Sequence, residues 1–261
     1  MDSGTDPTTQ GSGRAESHGG DAALAADARR DLLVAAILLA LAASALAQIG
    51  GFGTGYVLKA SLLHALGCAL IWRNLAANHP HARFGAANRV TLARLAMASL
   101  LAAVIGEPMT QPERIAWAVV VGATLTALMD AVDGALARRS GLASAFGADF
   151  DMETDAWLIF VLCSLVVQFD KAGLWVMASG LMRYAFVAAA RAWPWLAGEL
   201  RPSLRRKTVC VMQITTLIVC LGPIVPRWAS TALAAAGLSA LAASFAIDVR
   251  TLAVSTKEHR P

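Results

Sequence analysis

The stretch Asp130-Ala131-Val132-Asp133-Gly134-Ala135-Leu136-Ala137-Arg138, followed by Gly147, Asp151 and Asp155, lies between two long apolar runs. A charged side chain at membrane depth costs roughly 2.5–3.5 kcal/mol, so acids placed there usually have a partner and a task. Asp130 and Asp133 are spaced i, i+3, and Asp151 and Asp155 are spaced i, i+4. Each pair therefore shares one face of a helix.

The residues Arg138-Arg139-Ser140-Gly141 interrupt the apolar pattern and predict a tight turn between two antiparallel helices. A turn near Gly141 places position 130 opposite about position 152, so the two acidic pairs meet in one pocket. Four carboxylates that close repel one another. Mg²⁺ or Mn²⁺ relieves the repulsion, because both prefer hard oxygen ligands. The sequence therefore predicts a site for two such ions, which is typical of phosphoryl chemistry.

The spacing Asp-x2-Asp-Gly-x2-Ala-Arg-x8-Gly-x3-Asp-x3-Asp resembles the signature of the CDP-alcohol phosphatidyltransferase family, with every fixed position present. The resemblance implies an integral membrane enzyme that transfers a phosphatidyl group from CDP-diacylglycerol to an alcohol and releases CMP. It also implies roles for the signature residues and a homodimer. A nucleic-acid partner is not expected.

The resemblance assigns the signature residues to three roles. Metal ligation falls to Asp130, Asp133, Asp151 and Asp155. Asp155 is also the general base that takes the proton of the acceptor hydroxyl. Contact with the CDP group falls to Asp130, Asp133, Gly134, Ala137, Arg138 and Gly147.

Composition places the chain in the membrane class. Of its 261 residues, 57% are hydrophobic and 15% are charged, and the mean hydropathy is +0.56. Its four cysteines are scattered singly, which suggests neither disulfides nor a zinc site. Apolar runs near 32–50, 55–77, 90–106, 113–137, 144–168, 171–195, 207–225 and 228–248 predict eight spans.

Basic residues predict the orientation of these spans. Lys59, Arg114, Lys171 and Arg227 fall near one face, whereas most other basic residues fall in the tails and in the opposite connections. By the positive-inside rule, both termini and the acidic pocket lie on the cytoplasmic side of the cell inner membrane.

The expected organisation is all-α, a polytopic membrane helix bundle with a six-helix family core and an N-terminal two-helix hairpin. Residues 1–30 are expected to be a disordered cytoplasmic tail, because they are small, polar and of mixed charge. Residues 31–84 form an accessory transmembrane hairpin, residues 85–250 the core, and residues 251–261 a second cytoplasmic tail.

Two further segments are candidates for completing the site. Asn88, Thr91 and Arg94 open the third span and resemble an Asn-x2-Thr-x2-Arg segment of the family, which implies contacts near the nucleotide. Helix capping by Asn88 and Thr91 explains them equally well.

Basic residues farther along the chain predict an acceptor site. Arg183 lies inside a span and needs a negative partner, Arg191 is two helical turns away, and Arg205, Arg206 and Lys207 open the next span. They favour a phosphorylated alcohol such as glycerol 3-phosphate, while positive-inside anchoring remains an alternative.

Two alternative functions would also use acidic residues inside the membrane. A prenyltransferase also holds Mg²⁺ on paired aspartates against a diphosphate, but its motifs are spaced differently. A cation-coupled transporter carries its ion on such acids, but here they cluster in one hairpin with no duplicated pattern in the other half.

Overall fold

The fold is given by a computed structural model, which describes residues 9–78, 83–140, 144–198 and 203–258. Within these ranges the side chains of residues 9–22, 74, 76–78, 133, 135, 137–140, 197 and 255–258 are not described. The described residues contain helices and no strand, which confirms the all-α prediction. The helices are α1 (Thr9–Gly50), α2 (Thr54–Asn78), α3 (Ala86–Ala103), α4 (Pro112–Ser140), α5 (Ala145–Gln168), α6 (Met177–Ala192), α7 (Leu204–Leu221) and α8 (Arg227–Glu258).

Four of the described helices are long and apolar enough to cross a bilayer, in the segments Ala23–Gly50, Thr54–Arg73, Pro112–Val132 and Arg227–Val254. A crossing takes about 20 predominantly apolar residues. The helices α3, α5, α6 and α7 are shorter or carry charged residues, among them Arg94, Asp155 and Arg183. The chain is therefore a membrane helix bundle.

The N-terminal segment differs from the expected disordered tail of residues 1–30. α1 begins at Thr9, so residues 9–30 are helical, and residues 1–8 lie outside the described part. Leu24 and Ala28 are buried, and Asp27 accepts a hydrogen bond of 3.0 Å from the backbone N–H of Phe84. These contacts with the rest of the bundle offset the entropy lost when the segment orders. At the other end, α8 continues through the expected tail to Glu258.

The predicted N-terminal hairpin is present as α1 and α2, but it does not stand apart from the core. Both helices pack against α3. An apolar cluster joins Leu24 of α1 and Leu75 of α2 to Phe84, Leu92 and Phe146. The hairpin therefore supports the end of the bundle where α3 and α5 begin.

α5 is the central helix. Its residues Leu158, Leu162 and Leu165 have no exposed surface, as expected where the second half of the helix is apolar on all sides. α5 packs against α2, α3, α6 and α7, whereas α4 packs chiefly against α3 and α7. α3 therefore packs against both acid-bearing helices, and the predicted turn between α4 and α5 falls partly on residues 141–143, outside the described part of the chain.

Polar contacts stabilise the end of the bundle at which α3 and α5 finish. The ammonium of Lys59 lies 2.5 Å from the carboxylate of Glu107 and donates to the carbonyl of Ile105. Lys171 donates to the carbonyls of Gly222 and Val225 at 2.8 and 2.7 Å. These bonds satisfy carbonyls left free at helix ends and in loops.

Candidate functional site

A cavity of about 510 Å³ opens among α4, α5, α6, α7 and α8. Asp130, Asp151 and Asp155 line one side of it, and basic residues of α6 and α7 line another. The remaining lining is largely apolar and includes Leu241 and Phe245 of α8. It also contains the acid Asp248, which lies 3.6 Å from Nη1 of Arg206. The cavity thus joins a negative pole and a positive pole across an apolar surface.

The negative pole is built from two helices. Asp130 lies near the end of α4, and Asp151 and Asp155 lie one turn apart near the start of α5. One carboxylate oxygen from each of the three lies within 4.8 Å of the others. The side chains are partly exposed, at 17%, 39% and 18% respectively. The structure therefore brings together three of the four predicted acids.

The remaining signature residues of α4 are only partly described. Asp133, Ala137 and Arg138 belong to α4, but their side chains lie outside the described residues. Gly134 is half-buried, one turn after Asp130. Their predicted contacts with metal and CDP stay predictions.

Arg94 of α3 lies at the centre of the acid cluster. Its side chain has no exposed surface, and its Nη1 lies 3.3 Å from Asp130 Oδ1. The same guanidinium donates hydrogen bonds to Asp151 and Asp155. Charge-assisted bonds of this kind are stronger than neutral ones. Arg94 therefore links α3 to both acid-bearing helices and offsets part of their negative charge.

Sequence reasoning placed Arg94 near the nucleotide and missed its contact with the acids. The signal was its position inside a predicted span, because a cation at membrane depth needs a negative partner. Asp248 of α8 was missed as well, although it interrupts an apolar run in the same way.

Asn88 and Thr91 are buried on α3 and do not cap it. The N-cap residue is Gly85 and no side chain caps the helix. Asn88 instead donates a 2.6 Å hydrogen bond to the carbonyl of Phe84, and Thr91 donates to the carbonyl of Ala87. The capping interpretation is therefore wrong, because both residues lie inside the first turns, where their side chains can reach carbonyls one turn back.

Gly147 allows α3 and α5 to approach each other. A Cβ at this position would lie 2.9 Å from Asn88 Oδ1. The backbone N–H of Gly147 donates to Ser144, the N-cap residue of α5. Gly147 and Asn88 thus fix the start of the helix that presents Asp151 and Asp155.

Three of the five predicted acceptor residues line the cavity, namely Arg183, Arg206 and Lys207. Arg183 also pairs with Glu153 of α5. Nearby on α6, the hydroxyl of Ser179 lines the cavity, is buried, and has no hydrogen-bond partner in the described part of the chain. These groups give the cavity hydrogen-bond donors for a polar molecule.

Arg205 and Arg191 have different surroundings. Arg205 reaches across to α8, where it lies 2.5 Å from Asp248 and donates to the carbonyl of Ser244 at 2.6 Å. Arg191 is exposed near the end of α6 and is not among the residues that line the cavity. Arg205 therefore joins α7 to α8 beside the cavity.

The acid cluster fits a divalent metal ion. Asp130, Asp151 and Asp155 provide hard oxygen donors close enough for one ion, which suits Mg²⁺ or Mn²⁺. Arg94 supplies one positive charge against these three negative charges, so the cluster retains a net negative charge that favours a cation.

Comparisons with known proteins agree with this arrangement. The family model for CDP-alcohol phosphatidyltransferase matches residues 84–246. The match includes the acid cluster and the cavity-lining residues of α4 to α7, and it leaves α1 and α2 outside. No curated protein and no solved structure matched the chain.

Proposed function

Because the chain belongs to the CDP-alcohol phosphatidyltransferase family, we propose that it transfers a phosphatidyl group from CDP-diacylglycerol to an alcohol and releases CMP. The observation that carries the proposal is the cluster of Asp130, Asp151 and Asp155 on the wall of a cavity that also bears basic residues. The acids suit a metal-bound diphosphate, and the bases suit a negatively charged acceptor.

Two Mg²⁺ or Mn²⁺ ions are proposed to be held by Asp130, Asp133, Asp151 and Asp155. When bound, the ions supply positive charge against the diphosphate and the leaving CMP. Arg94 keeps the acidic side chains of α4 and α5 directed at one place. Gly134, Ala137, Arg138, Gly147, Asn88 and Thr91 are proposed to border the nucleotide.

Asp155 is proposed to be the general base. The acceptor hydroxyl oxygen forms a bond to the β-phosphorus, and its proton passes to the Asp155 carboxylate. The bond from that phosphorus to the oxygen of CMP breaks, and CMP leaves with the electron pair. In-line transfer of this kind depends mainly on positioning and electrostatics. The position of Asp155 on the cavity wall supports this role.

The acceptor is proposed to be a phosphorylated alcohol such as glycerol 3-phosphate. Arg183, Arg206 and Lys207 on the cavity wall support this choice, since guanidinium and ammonium groups bind phosphate by charge-assisted hydrogen bonds. Arg205 and Arg191 do not line the cavity, and we propose that they extend the basic surface around the acceptor site. We also propose a homodimer in the inner membrane with the cavity facing the cytoplasm, on the basis of the family and the basic-residue distribution.

A CMP-release assay tests this function. The purified protein in detergent receives CDP-diacylglycerol, Mg²⁺ or Mn²⁺, and one alcohol from a panel of glycerol 3-phosphate, an inositol phosphate, glycerol and serine. We expect CMP release that EDTA abolishes and that is fastest with a phosphorylated alcohol. Diphosphate release from a polyprenyl diphosphate, or solute counterflow without CMP release, would instead identify a prenyltransferase or a transporter.

A further inference from the structure

A groove of about 420 Å³ lies between α1 and α2, outside the segment that the family model matches. Its lining includes Arg29, Leu32, Leu39, His64, Cys68 and Trp72. The lining is almost entirely apolar, and among the described side chains Arg29 is its one charged residue. We call this feature the hairpin groove.

Arg29 and the two nearby acids of α1 lie on opposite sides of the helix. Asp27 and Asp31 are one turn apart and bind Arg89 of α3 at 3.1 and 2.6 Å. Arg29 lies two residues from each and so points to the opposite side of α1. Among the described side chains no ion pair involves Arg29. The positive charge therefore faces the groove without a neutralising acid in the described part of the chain.

The groove has the length of one lipid leaflet. Arg29 and Leu39 are ten residues apart, which corresponds to about 15 Å of helix, half of the roughly 30 Å hydrocarbon core. Trp72 of the antiparallel α2 lies at the same end as Arg29, and tryptophan is enriched at membrane interfaces. The groove thus runs from a cationic interfacial end to an apolar end near the middle of the bilayer.

The other polar groups of the groove do not suggest a metal. Cys68 Sγ and His64 Nε2 lie 3.4 Å apart, and they supply two ligand atoms where a structural zinc site needs four. A purely hydrocarbon occupant would leave the exposed Arg29 without a role. An amphiphile with one negative charge fits both ends of the groove.

We propose that the hairpin groove binds an anionic phospholipid, with its phosphate at Arg29 and an acyl chain extending along α1 towards Leu39. The proposal is independent of the reaction proposed above, because it uses no residue of the cavity. The bound lipid would brace α1, whose opposite face holds the start of α3 through Asp27 and Asp31.

The test compares Arg29→Gln with Arg30→Gln, which makes the same charge change on an adjacent exposed residue that does not line the groove. Native mass spectrometry of the full chain measures retention of phosphatidylglycerol against phosphatidylcholine with identical acyl chains. We expect wild type and Arg30→Gln to retain the anionic lipid about five-fold better, and Arg29→Gln to lose that preference. Equal retention by all three proteins would overturn the proposal.

Three further experiments locate the lipid. A phosphatidylglycerol carrying a photoreactive group in its acyl chain should label peptides of α1 and α2. Arg206→Gln, a change in the cavity, should leave the preference intact. Labelling confined to α6–α8, or a preference lost with Arg206→Gln and kept with Arg29→Gln, would place the lipid in the cavity and overturn the proposal. Ala65→Phe, which narrows the groove, should reduce labelling of α1 while the thermal unfolding midpoint stays near that of wild type.

Discussion

Arg94 brings one buried positive charge into contact with three carboxylates from two other helices. Asp155 is held from two sides, since Arg94 donates to one of its oxygens and the thiol of Cys210 lies 3.7 Å from the other. Individual side chains therefore set both the net charge of the acid cluster and the direction in which its carboxylates point.

We expect Asp155→Asn to lower the rate of CMP release by about 10²–10⁴-fold, because it removes the general base. Binding of CDP-diacylglycerol should change little, since Asp130 and Asp151 remain. Steady-state CMP release and equilibrium binding of the CDP-lipid measure the two effects. Asp149→Asn, on the same helix and exposed, is the matched control. Parallel losses of binding and turnover would contradict the base assignment.

We expect Arg94→Gln to destabilise the metal-free protein by about 3 kcal/mol, the lower end for loss of one partner of a buried ion pair, because its acids are partly exposed. Mg²⁺ should restore much of this stability, since it supplies the missing positive charge. Thermal unfolding in detergent with EDTA or Mg²⁺ measures both. Arg89→Gln is the control, because its side chain is 51% exposed and should cost less than about 1 kcal/mol. A deficit that Mg²⁺ leaves unchanged would argue against the counter-charge role.

Close contacts between helices set the shape of the cavity at the scale of elements. Gly180 of α6 lies so near α5 that a Cβ would approach the Cα of Phe160 to 2.8 Å. The adjacent Ser179 and Arg183, one turn on, both line the cavity. The distance between α5 and α6 therefore determines how far Arg183 lies from the acids of α5.

We expect Gly180→Ala to destabilise the fold by about 1–3 kcal/mol, because backbone must move to accept the methyl group. The KM for the acceptor should rise more than the KM for CDP-diacylglycerol, since α6 carries Arg183. Thermal unfolding and the two KM values provide the test. In Gly55→Ala nothing lies within 4 Å of the added Cβ. This control should not destabilise the fold and should leave both KM values unchanged. An unchanged acceptor KM in Gly180→Ala would separate α6 from acceptor binding.

α1 is attached to the start of α3 through Asp27 and Asp31. Asp27→Ala should cost about 1–3 kcal/mol, because the backbone N–H of the buried Phe84 loses its acceptor. Asp31→Ala removes only a contact with the half-exposed Arg89 and should cost less than about 1 kcal/mol. The difference between their free energies of unfolding is the measurement. Equal costs would mean that the bond to Phe84 contributes no more than the surface ion pairs.

The orientation of the bundle in the membrane is a property of the whole molecule. Because the helices alternate in direction, the cavity lies at one end of the bundle and the Lys59 and Lys171 contacts lie at the other. We expect the cavity end to face the cytoplasm. Glu113→Cys should then react with a membrane-impermeant maleimide in intact cells, and Leu204→Cys only after permeabilisation. Both positions are exposed, while the native cysteines are buried or half-buried, so wild type sets the baseline. The reverse labelling pattern would invert the orientation.

The sequence alone determined the all-α membrane bundle and the family, and its eight apolar runs correspond to the eight α-helices of the described residues. Hydrophobic runs and the spacing of acids are local properties, and the helical repeat converts them directly into buried stretches and shared faces. Asp151 and Asp155 could be assigned to one face for this reason. The basic character of the 201–207 segment was visible in the same way.

Only the tertiary structure decided which helices meet. Arg94 contacts acids on two other helices, Arg205 binds Asp248 of α8, and α4 packs chiefly on α3 and α7. These pairings link residues far apart in the chain, and they depend on how side chains of different helices fit together. A local repeat fixes the face that a residue occupies, but it carries no information about the helix that covers that face.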